Sequence, residues 1–531
     1  MTTRTQRLLS SLIALMAVME MNGQVAPEVP RLVVSIVVDQ LRTDYMQAFL
    51  PLYGQEGFAR LMREGRAFTR AQYPFASPDR ASAIASLMTG TSPYDHGIVG
   101  ERWLSRENLQ PVHCVDDRQY AGHGTAERVA PTHLLVSTLS DELKVATQGR
   151  ALVYSVAPTS DAAVLGAGHA ADGAFWISDQ TGGWCTTSYY GSAPAWLGYY
   201  NNSRNLQQQI AQLTWQPVNE LTGSYNYFLA GGQMNKGGKA FRHTFKGERR
   251  FRQFKASGLV NEEVTNMAQH VLRNTLMGID AVPDLLSLTY YAGTYDQQSL
   301  GASAMELQDT YVRLDAQLAL LMQRVEEKVG KGRALFVLTG TGSAMARQDE
   351  EDLRRYRIPS GEFNISRAHM LLNMYLSAVY GQAQWIEASY GNHIYVNQKL
   401  IENRGVSLSE LLDRSQAFLL QLSGVRDVFT SQRLLMGAGQ TGVDRLRNAY
   451  NPRCSGDILV QVAPGWQLVH DTHNQRSLTR DGYLPFPLFF LGTNIEHEIV
   501  NTPVTVDRVA PTISAHLRIR APNASMQMPL Q

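Results

Sequence analysis

A chain of 531 residues, 44% hydrophobic and 18% charged, can bury a large core, which suits one big domain carrying insertions. Its formal charge of +1 argues against a general nucleic-acid binder, which carries a strong basic excess. Cys114, Cys185 and Cys454 lie far apart without a CxxC pair, which leaves room for one bridge at most and argues against a disulfide framework.

At the N-terminus Arg4 and Arg7 precede the apolar run "LLSSLIALMAVMEM", and the polar "NGQVAPEVP" follows. Basic residues, a short apolar stretch and small residues near Gly23 and Gln24 predict a secretory signal peptide over 1–24. A membrane anchor needs roughly 20 apolar residues, more than this interrupted run supplies. No cysteine stands near the cleavage region to carry a lipid. The expectation is a periplasmic or secreted protein whose mature chain, 25–531, has no transmembrane segment.

Apolar runs of strand length then recur: "RLVVSIVVDQL" from Arg31, "ALVYSVAP" from Ala151, "DLLSLTYY" from Asp284, "ALFVLTG" from Ala334, "DILVQVA" from Asp457 and "PLFFLG" from Pro487. Continuous apolar runs suit strands of a parallel sheet covered by helices on both faces. Between them "SAMELQDTYVRLDAQLALLMQRVEEKV" keeps Leu307, Tyr311, Leu314 and Leu318 at helical spacing. A Gly-, Asn-, Gln- and Tyr-rich stretch and the basic run after it predict an insertion at about 182–256. In an α/β enzyme the chemistry sits just past the carboxyl ends of such strands. Past "ALFVLTG" stand Thr341, Gly342 and Ser343, with no carboxylate, imidazole or thiol.

Several long stretches, in order, resemble the PafA-type alkaline phosphatases of the alkaline phosphatase superfamily. They are "VVSIVVDQLRTDYM", "MTGTSPYDHGIVGERW", "LLVSTLSDELKVATQGRALVYSVAPTSDAAVLGAGHAADGAFW", "AGTYDQQSLGASAMELQDTYVRLD" and "GDILVQVAPGWQLV". The resemblance runs from about Arg31 to "VDRVAPTISAHLRIRAPNAS", nearly the whole mature chain. It implies an α/β fold, an alkaline-phosphatase-like three-layer sandwich with a central, mostly parallel sheet and inserted cap or loop regions. It also implies a secreted two-zinc phosphomonoesterase, with a threonine nucleophile and phosphate contacts from Asn, Lys and Arg. Zinc held by Asp and His would activate the nucleophile and bridge phosphoryl oxygens.

Carried across residue by residue, the resemblance places the first metal carboxylate at Asp39, the single retained ligand position. The nucleophile position, nine residues before Thr89, is Arg80, flanked by Ser77 and Ser82. Glu101 replaces the asparagine, Thr159 the lysine and Asp161 the arginine of the phosphate contacts. The remaining metal positions fall on Thr294 and Gln298, with Asp296 between them, then on Thr341, Gly342 and Pro485. Neutral Thr and Gln are poor zinc donors, so the expectation is no zinc cofactor and no catalytic or substrate-binding residue.

Other groups weigh less. His169 with Asp172, and His96, match framework segments, which favours structural roles. His470, Asp471 and His473 suit a metal site or a solvated loop, and Ser77, Ser82 or Ser86 would have to serve a metal-free hydrolase without a nucleophile elbow. From Lys236 to Lys255 eight Lys or Arg stand against one Glu, interleaved with Phe241, Phe245, Phe251 and Phe254. This reads as an exposed face with aromatic feet in the core, or as a surface for an anionic envelope glycan or an envelope protein partner. The resulting expectation is a secreted alkaline-phosphatase-like pseudoenzyme, a non-catalytic binding or accessory subunit of a cell-envelope assembly. The alternative is a residual or repurposed phosphoester or sulfoester hydrolase, using Ser77 or Ser82 and a shifted metal at Asp39 and Asp296.

Overall fold

The computed structural model describes residues 28–218, 241–297, 300–343, 357, 359–437, 442–470, 475–478 and 485–530. Its centre is a mostly parallel sheet that includes five of the six runs read from the sequence. β1 (Leu32–Asp39), β2 (Arg66–Gln72), β3 (Val153–Val156), β4 (Gly173–Ile177), β5 (Trp184–Thr187), β6 (Asp284–Tyr291), β7 (Ala334–Gly340) and β8 (Phe486–Gly492) carry it. Their order across the sheet is β2-β8-β7-β1-β6-β3-β4-β5, with short strands at both edges. β1 pairs in parallel with β6 and β7. Every residue of β1, β6 and β7 is buried, as expected of strands covered on both faces.

Two sequence readings are corrected here. "PLFFLG" is a central strand, β8, but it runs antiparallel to both β7 and β2. "DILVQVA" forms Ile458–Val462, which lies in a separate four-stranded sheet with Ile386–Tyr390, His393–Val396 and Val425–Thr430. Its strand neighbours there are all antiparallel, and an apolar run by itself does not distinguish the two settings. This smaller sheet has its own core around Trp385, Ile386, Ile394, Val428 and Val460. Asp457 ties it to the rest. That buried carboxylate accepts from both terminal nitrogens of Arg106 (3.2 Å each), the Val396 N–H (2.9 Å) and Gln398 Nε2 (2.8 Å).

The helices that matter for the site are α1 (Arg80–Thr89), α2 (Leu139–Ala146) and α3 (Ser160–Ala167). α1 begins with a capping box: Asp79 accepts from Ser82 N–H while the Ser82 hydroxyl accepts from Asp79 N–H. It ends at Gly90, whose φ of +66° suits a left-handed C-terminal residue. The helix read over "SAMELQDTYVRLDAQLALLMQRVEEKV" is Leu300–Val329, with all four spaced residues buried.

Within 182–256 the described residues pack into the main core through Leu197, Tyr200, Ile210, Trp215, Phe245, Phe251 and Phe254. The aromatic residues of the basic run therefore point inward. Its cations are partly neutralised: Arg252 and Lys255 pair with Asp179, and Arg249 with Asp296. Lys236 and Lys239 lie outside the described residues, as does the predicted signal peptide. Cys114, Cys185 and Cys454 are all free. Among the described residues no helix is long and apolar enough to cross a membrane.

Candidate functional site

The register of the central strands builds the site. Asp39 ends β1 opposite Tyr291 of β6, and Val38 lies opposite Gly340 of β7. The residues that follow these ends share one edge of the sheet, where ligands of α/β folds bind. Two helix N-termini contribute there as well: α1 begins at Arg80, and α3 has Asp161 in its first turn.

Arg80 is the hub. Its Nε donates to Asp161 Oδ2 at 2.8 Å and Nη2 to Asp161 Oδ1 at 3.2 Å, a two-point grip. Two longer contacts reach Asp39 Oδ2 (3.4 Å, from Nη1) and Glu101 Oε2 (3.5 Å, from Nη2). A cation in the first turn of a helix opposes the macrodipole, and the three carboxylates offset that cost. Asp161 suits its own helix, because an anion is stabilised at an N-terminus.

Burial pushes the three carboxyls up, and Arg80 decides how far each is brought back. For Asp161 the guanidinium charge and hydrogen bonds outweigh burial and hold it well below the usual range. Asp39 stays raised, because burial exceeds the opposing effects of Arg80, Thr341 and Ser343. Glu101 is raised by burial too, with Arg80 opposing. Carboxyl groups whose environments separate their proton affinities are the raw material of acid–base chemistry.

Asp39 has a second set of partners. Thr341 Oγ1 donates to Asp39 Oδ1 at 2.9 Å and accepts the Gln40 N–H at 3.0 Å. Ser343 Oγ lies 3.3 Å from the same carboxylate oxygen and 2.8 Å from Thr341 Oγ1. Thr341 is fully buried, whereas Ser343 is half-buried. Gly342 lies between them at φ +65°, a conformation that brings Ser343 back over Asp39. A Cβ at Gly342 would come within 2.9 Å of the Phe486 ring and 3.1 Å of the Tyr73 ring.

These residues do not fit the two-zinc centre implied by the resemblance. Thr294 and Thr341 are buried hydroxyl residues, Gly342 has no side chain, Pro485 has no donor, and Gln298 lies outside the described residues. Among the described residues no group of three or more His, Cys, Asp or Glu is arranged to hold a metal. Nor does the shifted metal at Asp39 and Asp296 gather ligands, since Asp296 is bound by Arg249 at 2.9 Å and by Gln253 at 3.4 Å.

The remaining candidates separate clearly. Ser82 is buried and its hydroxyl is spent on the α1 cap, donating to Asp79 Oδ1 at 2.7 Å. Ser77 is exposed at φ +50°, and among the described residues no carboxylate or imidazole is bonded to its hydroxyl. Ser86 accepts from His96 Nε2 at 2.8 Å, because His96 Nδ1 already accepts the Ile98 N–H; burial pushes that imidazole down to about 3. His169 donates to Asp141 Oδ2 (2.8 Å) and to the Leu134 carbonyl (3.1 Å). Asp172 accepts from Lys144 and from the Val153 N–H. His470 donates to the Ser389 carbonyl at 2.7 Å, while Asp471 and His473 lie outside the described residues. Sequence reasoning passed over Ser343; its signal was the "TGS" following a strand end.

Residues 33–484 match the family model described as type I phosphodiesterase / nucleotide pyrophosphatase, and the chain belongs to that family. It is 27% identical over 516 residues to "Alkaline phosphatase PafA" of Elizabethkingia meningoseptica, covering 94% of each chain. It is also 27% identical over 513 residues to "Alkaline phosphatase PhoV" of Synechococcus elongatus, covering 94% of this chain and 92% of that one. The crystal structure of wild-type alkaline phosphatase PafA matches with a TM-score of 0.80 at 26% identity, over 96% of this chain and 99% of that one.

These findings bear out the fold and the family resemblance, and they correct the expectation that the chain is not an enzyme. Relatives named as phosphatases align with it over more than nine-tenths of their length, which points to an enzyme of this superfamily. The physical reason lies in the site. A guanidinium, two hydroxyls and carboxylates of unequal proton affinity lie there within hydrogen-bonding distance.

Proposed function

We propose that this chain is an exported hydrolase of phosphoesters or sulfate esters, working at the carboxyl edge of the central sheet. The observation that supports it most is the uneven grip on Arg80: two contacts to Asp161 are short, and those to Asp39 and Glu101 are 3.4 and 3.5 Å. The loosely held N–H groups are the ones an ester oxygen can take over, while Asp161 keeps the side chain in place. Glu101, whose side chain is 46% exposed, lines the open side of the cluster.

The charge of the site bears on the substrate. One guanidinium faces three carboxyls, so a dianionic phosphomonoester meets more repulsion than a singly charged ester does. The reading therefore favours phosphodiesters and sulfate monoesters over phosphomonoesters. The export half of the proposal rests on the N-terminal sequence pattern.

The test is turnover of bis(4-nitrophenyl) phosphate, 4-nitrophenyl sulfate and 4-nitrophenyl phosphate by the purified protein, each in chelator. The expected order places the two singly charged esters above the monoester, with Arg80→Met losing at least tenfold on all three. Wild-type rates no higher than those of Arg80→Met on every ester would overturn the reading.

A further inference from the structure

We propose that Ser343 is the nucleophile of this site, with Asp39 as its base; the inference rests on the hydrolase reading above and deepens it. Four observations converge on the hydroxyl. Ser343 Oγ is within 3.3 Å of a buried carboxylate oxygen, a nucleophile and base within hydrogen-bonding reach once a substrate tightens the contact. The base is itself held, since Thr341 Oγ1 donates to the same oxygen and Arg80 contacts the other. Of the two hydroxyls on Asp39, Thr341 is fully buried and already placed by the Gln40 N–H, so only Ser343 is partly exposed. Finally, the loosely held edge of Arg80 contacts the same carboxylate, in position to take the charge of an ester.

The chemistry balances. Ser343 Oγ attacks the phosphorus or sulfur, its proton passes to Asp39, and the bond to the leaving alkoxide breaks on the far side. Water then attacks from the side the alkoxide vacated, and the bond to Oγ breaks as Asp39 returns the stored proton. The proton lost by water matches the one the departing alkoxide takes up, both through solvent. Arg80 binds the non-bridging oxygens throughout. Thr341 and Gly342 are positioning residues: the first holds the base, and the second turns the chain so that Ser343 reaches it.

Ser82, Ser77 and Ser86 do not compete. Ser82 is locked in a cap, Ser77 has no base, and Ser86 accepts from a ring whose other nitrogen is already occupied. The inference thus moves the hydroxyl from the start of α1 to the loop after β7.

The experiment compares wild type, Ser343→Ala and Ser343→Thr for bis(4-nitrophenyl) phosphate turnover and for labelling by an aryl phosphonofluoridate, which phosphonylates an activated hydroxyl and releases fluoride. The expected results are a loss of kcat of about 1,000-fold in Ser343→Ala, partial recovery in Ser343→Thr, and a phosphonyl adduct on the peptide containing Ser343. An unchanged melting temperature for Ser343→Ala separates chemistry from unfolding. If wild type turns over the ester and Ser343→Ala keeps its rate, or the adduct lies elsewhere, the nucleophile assignment falls while the hydrolase reading stands. If wild type turns over none of the esters, both fall.

Discussion

Replacing Arg80 by Met removes one cation from a place where burial makes two of its carboxylate neighbours depend on it. Arg80 is 22% exposed, and its partners Asp161 and Asp39 are 1% and 6% exposed, so neither carboxylate can turn to water for compensation. Breaking a buried pair from one side costs about 3–5 kcal/mol. At roughly 2 cal/mol/K per residue, a chain of this length has an unfolding entropy near 1 kcal/mol/K, so the melting temperature should fall by about 3–5 °C at pH 8. The sign of the pH dependence is also set. In the wild type Asp161 is depressed, and its contribution is present above the unfolded value and lost as pH falls toward the folded one. In the variant burial is opposed only by His113 and Thr159, and the carboxyl rises, so stability is present at low pH and lost as pH rises through the raised value. The deficit of Arg80→Met should therefore be large at pH 8 and shrink by pH 5. Thermal unfolding followed by circular dichroism at the two pH values reads this directly. An equal deficit at both, or one that grows on acidification, would refute the account of Arg80 as the counter-charge of buried carboxylates.

Three other outcomes follow from the structure. His169 is raised because the Asp141 hydrogen bond and charge outweigh burial, so its contribution is full below its ordinary value near 6.5 and fades above it; His169→Gln should cost more stability at pH 5.5 than at pH 9, by about 1 kcal/mol in urea titrations. Asp457→Ala strips Arg106 and two further donors of their acceptor, and should lower stability by about 3 kcal/mol in chemical denaturation. EDTA should leave the melting temperature within about 1 °C, because Thr294, Thr341, Gly342 and Pro485 stand at the zinc positions the resemblance implies; a fall of many degrees that zinc reverses would contradict that.

Where burial alone decides the structure, the sequence was readable. β1, β6 and β7 are continuous apolar runs, and each lies within two residues of its reading. The direction of β8 and the placement of Ile458–Val462 were not readable, since an apolar strand carries no mark of which neighbour it meets. β2 has the composition "RAFTRAQ" and buries only Ala67, Phe68 and Ala71, too polar to register as a core strand. The site divides in the same way. Asp39, Arg80, Glu101 and Asp161 were named from a linear resemblance, and the fold does bring them together. Their mutual neutralisation was not legible, because residues separated by up to 122 positions show their charges but not their distances. Ser343 was passed over for a related reason: its significance depends on the backbone turn at the residue before it.

That turn also constrains the history of the loop. At Gly342 the chain has φ +65°, and the rings of Phe486 and Tyr73 occupy the space a Cβ would need. Phe486 stacks on Tyr73, and the Tyr73 hydroxyl donates to the carbonyl of Gly340 at the end of β7. A metal-binding side chain at this position would have to sit at positive φ and displace two packed aromatic rings. Such a side chain would bear strain before any ligand could repay it. The loop behaves as a ratchet: descendants of this chain can alter Ser343 or Arg80 singly, while a ligand at Gly342 requires those rings to move as well.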